Sequence, residues 1–165
     1  MKETGKIKKN SDRPKPFRVQ IQDIRESDFD IKEISVDHQA QVKESEINLG
    51  FGVQLDQDFE KKTITIGLQI MYDCTCKSEK CHLLKYEFFT TFILADFDEV
   101  VTRQADNTVK IENGFLITLL GILVGTARGM LAVKTAGHFI NKFYLPILNP
   151  EALFKSLFEK QKQNP

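Results

Sequence analysis

Apolar and polar residues alternate along much of the chain. Ile47, Leu49, Phe51, Val53 and Leu55 fall on one side, and Asn48, Gly50, Gly52, Gln54 and Asp56 on the other. That period of two predicts a half-buried strand. Ile64, Ile66, Leu68, Ile70 and Tyr72 repeat it after the turn-like DQDFEKK, so the two strands are expected to pair as an antiparallel hairpin. An earlier strand runs from Phe17 through Val19, Ile21 and Ile24, and on through Phe29, Ile31, Ile34 and Val36. Its phase slips around Ile24, which predicts a bulge or bend. A fourth strand, LLKYEFFTTFILADF, is apolar on both sides from Phe88 onward, and is expected to be covered by helices and by another subunit.

Near residue 113 the period changes to that of a helix. The stretch NGFLITLLGILVGTARGMLAVKTAG is the most apolar in the chain. Its uncharged run stops at Arg128, with Lys134 beyond, so it is read as too short to span a bilayer, which takes about 20 apolar residues. Gly121, Gly125 and Gly129 recur every four residues along it. Each costs about 0.8–1 kcal/mol relative to Ala inside a helix, so a close approach must compensate, either on this chain's own sheet or at a subunit interface. A last helix follows in NPEALFKSLFEKQKQ, with Asn149 as N-cap, Pro150 at the first helical position and Leu153, Phe154, Leu157 and Phe158 as its apolar stripe. The expected class is α+β: a four-stranded antiparallel sheet followed by two C-terminal helices.

Composition bounds the partners. The 165 residues suit one domain, and 23 basic side chains against 23 acidic ones give no global field toward nucleic acid or membrane. Residues 1–16 carry six Lys or Arg, two acids and two Pro, and are expected to form a disordered basic arm before a single domain over 17–162. No apolar segment follows those basic residues as a signal peptide would require. Three Cys, an odd number, fit a reducing compartment. The chain is thus expected to be soluble and cytoplasmic, without membrane insertion.

Little in the sequence points to catalysis. His38, His82 and His138 lie in predicted loops with no spacing that assembles a triad, and no phosphate-binding loop or dinucleotide fingerprint occurs. The segment CTCKSEKCH brings Cys74, Cys76, Cys81 and His82 together, a donor set that suits zinc although not in a usual finger spacing. A zinc- or redox-responsive adaptor therefore stands beside a solvated hairpin loop as a reading of that segment. The connector holding Phe139, Phe143, Tyr144, Leu145, Ile147 and Leu148 is more apolar than a purely structural loop. Such surface marks binding sites.

The order of these elements, the stretch VQIQDIRESDFDI, the ARG of the long helix and above all GHFINKFYLPILNPEALFKSLF resemble the SecB family of export chaperones over residues 19 to 160. The resemblance implies an ATP-independent holdase, usually a dimer of dimers, that binds unfolded or exported polypeptides in long apolar grooves and needs no cofactor. A neighbouring role is that of a dedicated chaperone for one partner, such as an antitoxin. Phe139 matches the phenylalanine lining the family's groove and Arg128 the arginine of its long helix. With Phe143, Tyr144, Leu145 and Phe51, Phe139 makes up the candidate client contacts, and Gly121, Gly125 and Gly129 the candidate subunit interface. Asp28 and Glu87 match acids through which family members dock on the translocase motor SecA. Lys32 and Lys85 stand where an acid and a leucine would be expected, and DHQAQVKESE lacks the Trp and Pro of the export chaperones' crossover loop.

Overall fold

The computed structural model describes residues 18–40, 42–76 and 79–159, with only the backbone of 76, 79 and 80. The basic arm 1–16, Phe17 and residues 160–165 lie outside them. Four long strands, β1 (Val19–Ile31), β2 (Ile47–Asp58), β3 (Thr63–Cys76) and β4 (Glu79–Leu94), form one antiparallel sheet in the order β1-β4-β3-β2. The β2–β3 hairpin keeps an unbroken register from Ile47 with Cys74 to Asp58 with Thr63. One face of each strand is apolar, and a one-residue slip would turn that whole set outward. The Asp58 carboxylate accepts the N–H groups of Glu60 and Lys61, both at 3.0 Å, and shapes the turn.

The phase slip in β1 resolves into two register shifts, between Ile21 and Asp23 and between Glu26 and Asp28, one on each side of Ile24. The strand ends earlier than expected. After Ile31 the Lys32 N–H donates to the Leu83 carbonyl at 3.0 Å, and the chain leaves the sheet. Because β2 lies at the opposite edge from β1, residues 32–46 must cross the end of the sheet. Ile34 and Val36 belong to that crossover, which holds the short helix α1 (Val36–Gln39) and is anchored by buried Val42.

One face of the sheet is covered over its two central strands, while Ile21 and Ile24 of the edge strand β1 on the same face stay 40% exposed. Ile64, Ile66, Leu68 and Ile70 of β3 and Tyr86, Phe88 and Phe92 of β4 are buried there, beneath α3 (Asn113–Lys134). Phe115, Leu116, Leu119, Leu120, Leu123, Val124, Ala127 and Leu131 form the inward stripe of α3, spaced three and four apart as a helix requires. The Glu112 carboxylate caps its first turn by accepting from the N–H groups of Gly114 and Phe115. Near the other end Lys134 Nζ lies 2.6 Å from Glu26 Oε2 and 4.5 Å above the Phe29 ring, tying the helix to β1. By length and mean hydropathy α3 could cross a bilayer, but in this fold its apolar stripe is used on the sheet. Between β4 and α3 lie α2 (Phe97–Val100) and a small hairpin, β5 (Val101–Arg103) with β6 (Val109–Ile111), that the sequence pattern did not predict. Three-residue strands are too short to display a period.

The final helix, α4 (Pro150–Phe154), widens into π geometry over Lys155–Glu159. Asn149 caps it as expected, its side-chain oxygen accepting from the Glu151 and Ala152 N–H groups. The result is the α+β architecture of a four-stranded antiparallel sheet with C-terminal helices.

Candidate polypeptide-binding site

The end of α3 prepares the connector that follows. The Thr135 hydroxyl sits 2.7 Å from the Leu131 carbonyl and 2.9 Å from Asn141 Oδ1, closing the helix on the next turn. Gly137 then adopts φ +84°, a left-handed conformation that glycine takes without strain. A 3₁₀ turn over Phe139–Lys142 follows, pinned by buried Ile140. Farther along, the Arg128 guanidinium reaches out from α3 and donates to two successive carbonyls, Leu145 at 3.0 Å and Pro146 at 2.8 Å. A planar fork of this kind fixes two acceptors at once.

Between these anchors the connector faces the crossover across a cleft of 570 Å³. Ile31, Ile34 and Val36 line one wall, Phe139 and Ile140 the other, and Lys32, Glu33, His138 and Lys142 stand among them as polar lining. Val36 is 77% exposed, although it is a large apolar side chain. Gln39 Nε2 donates to the Ile34 carbonyl at 2.8 Å and bends the crossover back on itself. Phe143 packs edge-on against Phe139, with ring centroids 5.6 Å apart. Arg128, Phe143, Tyr144 and Leu145 line a small pocket behind the connector with Tyr72 and Leu84. Burial pushes the Tyr72 hydroxyl up to about 12, with Arg128 opposing the shift.

The proposed client contacts are not all in one place. Phe139 lines the cleft and Phe143 supports it. Tyr144 lines the small pocket yet stays 69% exposed, whereas Leu145 is buried and anchors the connector from within. Phe51 lies on β2, at the edge of the sheet away from β1, paired with Ile70. The crossover wall leaves no signature of its own in the sequence. Ile34 and Val36 were visible as apolar positions, but they read as the end of a strand.

Asp28 and Glu87 are direct register partners on the sheet face away from α3. Lys85 Nζ lies 2.8 Å from Asp28 Oδ2, and this hydrogen bond, with the charge behind it, raises the Lys85 pKa. Gly121 meets this chain's own α4, since a Cβ there would stand 3.3 Å from Pro150 Cγ, while Gly125 and Gly129 face open space. The candidate zinc ligands divide across the sheet. Cys74 pairs with Cys81 on the side of the core, and Asp73 pairs with His82 on the other, with 2.7 Å between His82 Nδ1 and Asp73 Oδ1. Among the described residues no three His, Cys, Asp or Glu side chains converge as a metal site, and the Cys76 side chain lies outside them.

No family model matches the chain, and no curated protein matches it. Among solved structures, it is similar to a Mycobacterium tuberculosis SecB-like chaperone in complex with a ChAD peptide from the HigA1 antitoxin. The match covers 79% of this chain and 91% of that one, at 16% identity and a TM-score of 0.51. The fold is SecB-like. A protein of unknown function from Streptococcus agalactiae aligns over 72% of this chain and 90% of its own at 11% identity, but its TM-score of 0.27 carries no weight.

Proposed function

We propose that this protein is an ATP-independent holdase that takes extended, unfolded polypeptide into the cleft between its crossover and its connector. The observation that carries the reading is the cleft itself, where apolar Val36, Ile34 and Phe139 stand open to solvent or half-buried beside polar lining. Such a surface is costly to leave wet unless something apolar covers it. The connector adds Tyr144 and Ile147, the latter 91% exposed, so affinity is spread over many weak contacts. The SecB-like fold supports the same reading, as does the peptide held by the M. tuberculosis protein. The chain acts without cofactor or catalysis, in the cytoplasm, and assembles as a dimer of dimers through the outward face of α3 at Gly125 and Gly129. Docking on a translocase motor through Asp28 and Glu87 would have to displace the Lys85 ammonium.

The test is suppression of aggregation of a chemically unfolded protein without ATP. Burying an aromatic ring contributes about 1.5–3 kcal/mol, so Phe139→Ala should weaken client binding by about ten- to a hundred-fold, with the circular dichroism spectrum unchanged. If the folded variant is as active as wild type, the cleft is not the site. A dedicated role toward a single partner is the second reading, favoured by the antitoxin peptide in the M. tuberculosis complex. A wild-type chain that protects no general client, yet is encoded beside a toxin–antitoxin pair and binds that antitoxin, would establish it over the broad holdase.

A further inference from the structure

Cys74 and Cys81 sit directly opposite each other in the central β3–β4 pair and share one face of the sheet. Opposed residues of an antiparallel pair have Cα atoms about 4.5–5.5 Å apart, inside the range of about 4.4–6.8 Å that a disulfide spans. Both are in the thiol form in this structure, Cys74 buried at 1% exposure and Cys81 only partly so. We infer that this pair is a thiol–disulfide exchange site that a small-molecule disulfide converts into a cross-strand bond between β3 and β4. Cys81, the accessible member, loses its proton to solvent, and its thiolate attacks one sulfur of the small disulfide. One thiolate leaves and a mixed disulfide remains on Cys81. Cys74 then gives up its proton to solvent and attacks the Cys81 sulfur across the strands, expelling the second thiolate. Two protein thiols are oxidised by two electrons, and one small disulfide is reduced to two thiols.

The placement gives the bond a consequence. It closes the row in which Ile47, Cys74 and Cys81 are joined across β2, β3 and β4, two residues along β4 from the carbonyl of Leu83 that holds the start of the crossover. His82 and Asp73, on the opposite face, take no part. The inference stands apart from the chaperone reading, because it needs neither a client nor an assembly.

The test uses the full chain, reduced and then exposed to oxidised glutathione, with intact mass and melting temperature as readouts. Cys76→Ser, which leaves only the two opposed thiols, should lose the mass of two hydrogens, keep no glutathione adduct, and melt about 5 °C higher from the closed loop. Cys74→Ser combined with Cys76→Ser should stop at one glutathione on Cys81, because its resolving sulfur is gone. Retention of the adduct by Cys76→Ser overturns the inference, as does linkage between chains, or no reaction in folded Cys76→Ser.

Discussion

The two faces of the sheet differ in composition and in behaviour: one is lined by large apolar side chains, and the other holds Gly50, Gly52 and Gly67 among mostly polar residues. On the α3 side, Ile64, Ile66, Leu68, Ile70 and Phe88 are fully buried, each locked between strand neighbours and helix. On the other side, no element covers the sheet among the described residues, and the local solutions differ. There the Phe89 ring lies against Gly67, so close that a Cβ at Gly67 would meet it at 2.6 Å, and Met71 leans over Gly50. Arg25 sits 5.6 Å from the centre of the Phe89 ring, and Ile93 remains 38% exposed. Two tyrosine and lysine shifts draw the same contrast. On the covered face Tyr72 is raised by burial, whereas on the open face Lys85 is raised by a partner, Asp28. Removal from water organises one face, and pairing between neighbours organises the other.

The largest contrast should come from adjacent phenylalanines. Phe88→Ala empties a position in the covered core and should cost about 3–5 kcal/mol in urea unfolding. Phe89→Ala should cost about 1 kcal/mol, since only part of its ring is removed from water. Equal losses at the two positions would mean that another subunit covers the open face, as the doubly apolar β4 sequence led one to expect.

A smaller effect should appear at high pH. The fold holds Tyr72 neutral by raising its pKa from 10.0 to about 12. Its contribution is complete below pH 10 and is lost as pH rises through 12, on the order of 2–3 kcal/mol. Tyr72→Phe should flatten that part of the alkaline stability profile, and a profile parallel to wild type would show that the hydroxyl is not desolvated.

The smallest effect distinguishes positions along α3. Where Gly125 faces solvent, Gly125→Ala should stabilise the protomer by about 0.8–1 kcal/mol through helix propensity. Gly121→Ala should gain less, because its new methyl presses on Pro150. In the assembly proposed above, where a second helix packs on that face, Gly125→Ala should instead lower stability and shift light scattering toward smaller species, and a gain in stability at unchanged size would overturn that interface. A Gly125→Leu change would weaken that assembly further, by about 1–3 kcal/mol.

The strands were legible wherever one face is buried and the other is not, as in β2 and β3, because burial forces a strict period of two. The helix start at residue 113 and the Asn149 cap were legible for a similar local reason, a change of period in one case and a side-chain oxygen beside orphan N–H groups in the other. The end of β1 was not. Ile34 and Val36 continue its apolar alternation, yet the chain leaves the sheet at Lys32 because its next strand lies at the far edge. That departure creates one wall of the cleft, so the candidate site was half visible: Phe139 through its resemblance, the crossover wall not at all. CTCKSEKCH failed in the opposite direction. Four metal-binding residues, three Cys and one His, lie close in sequence, but strand pleating turns neighbours to opposite faces, so Cys74 stands with Cys81 and Asp73 with His82.

The sequence by itself determined which segments are strands and helices, which side of each seeks burial, and where α3 and α4 begin. These follow from periodicity and from capping chemistry, which act over a few residues. Only the tertiary structure decided that β1 and β2 occupy opposite edges, that the intervening crossover meets the Phe139 connector, that Arg128 grips the Leu145 and Pro146 carbonyls, and that Gly121 of α3 packs on α4 while Gly125 and Gly129 face open space in the protomer. Each of these depends on the order in which strands pair and on how α3 lies across them, and residues far apart in the chain leave no local pattern from which that order can be read.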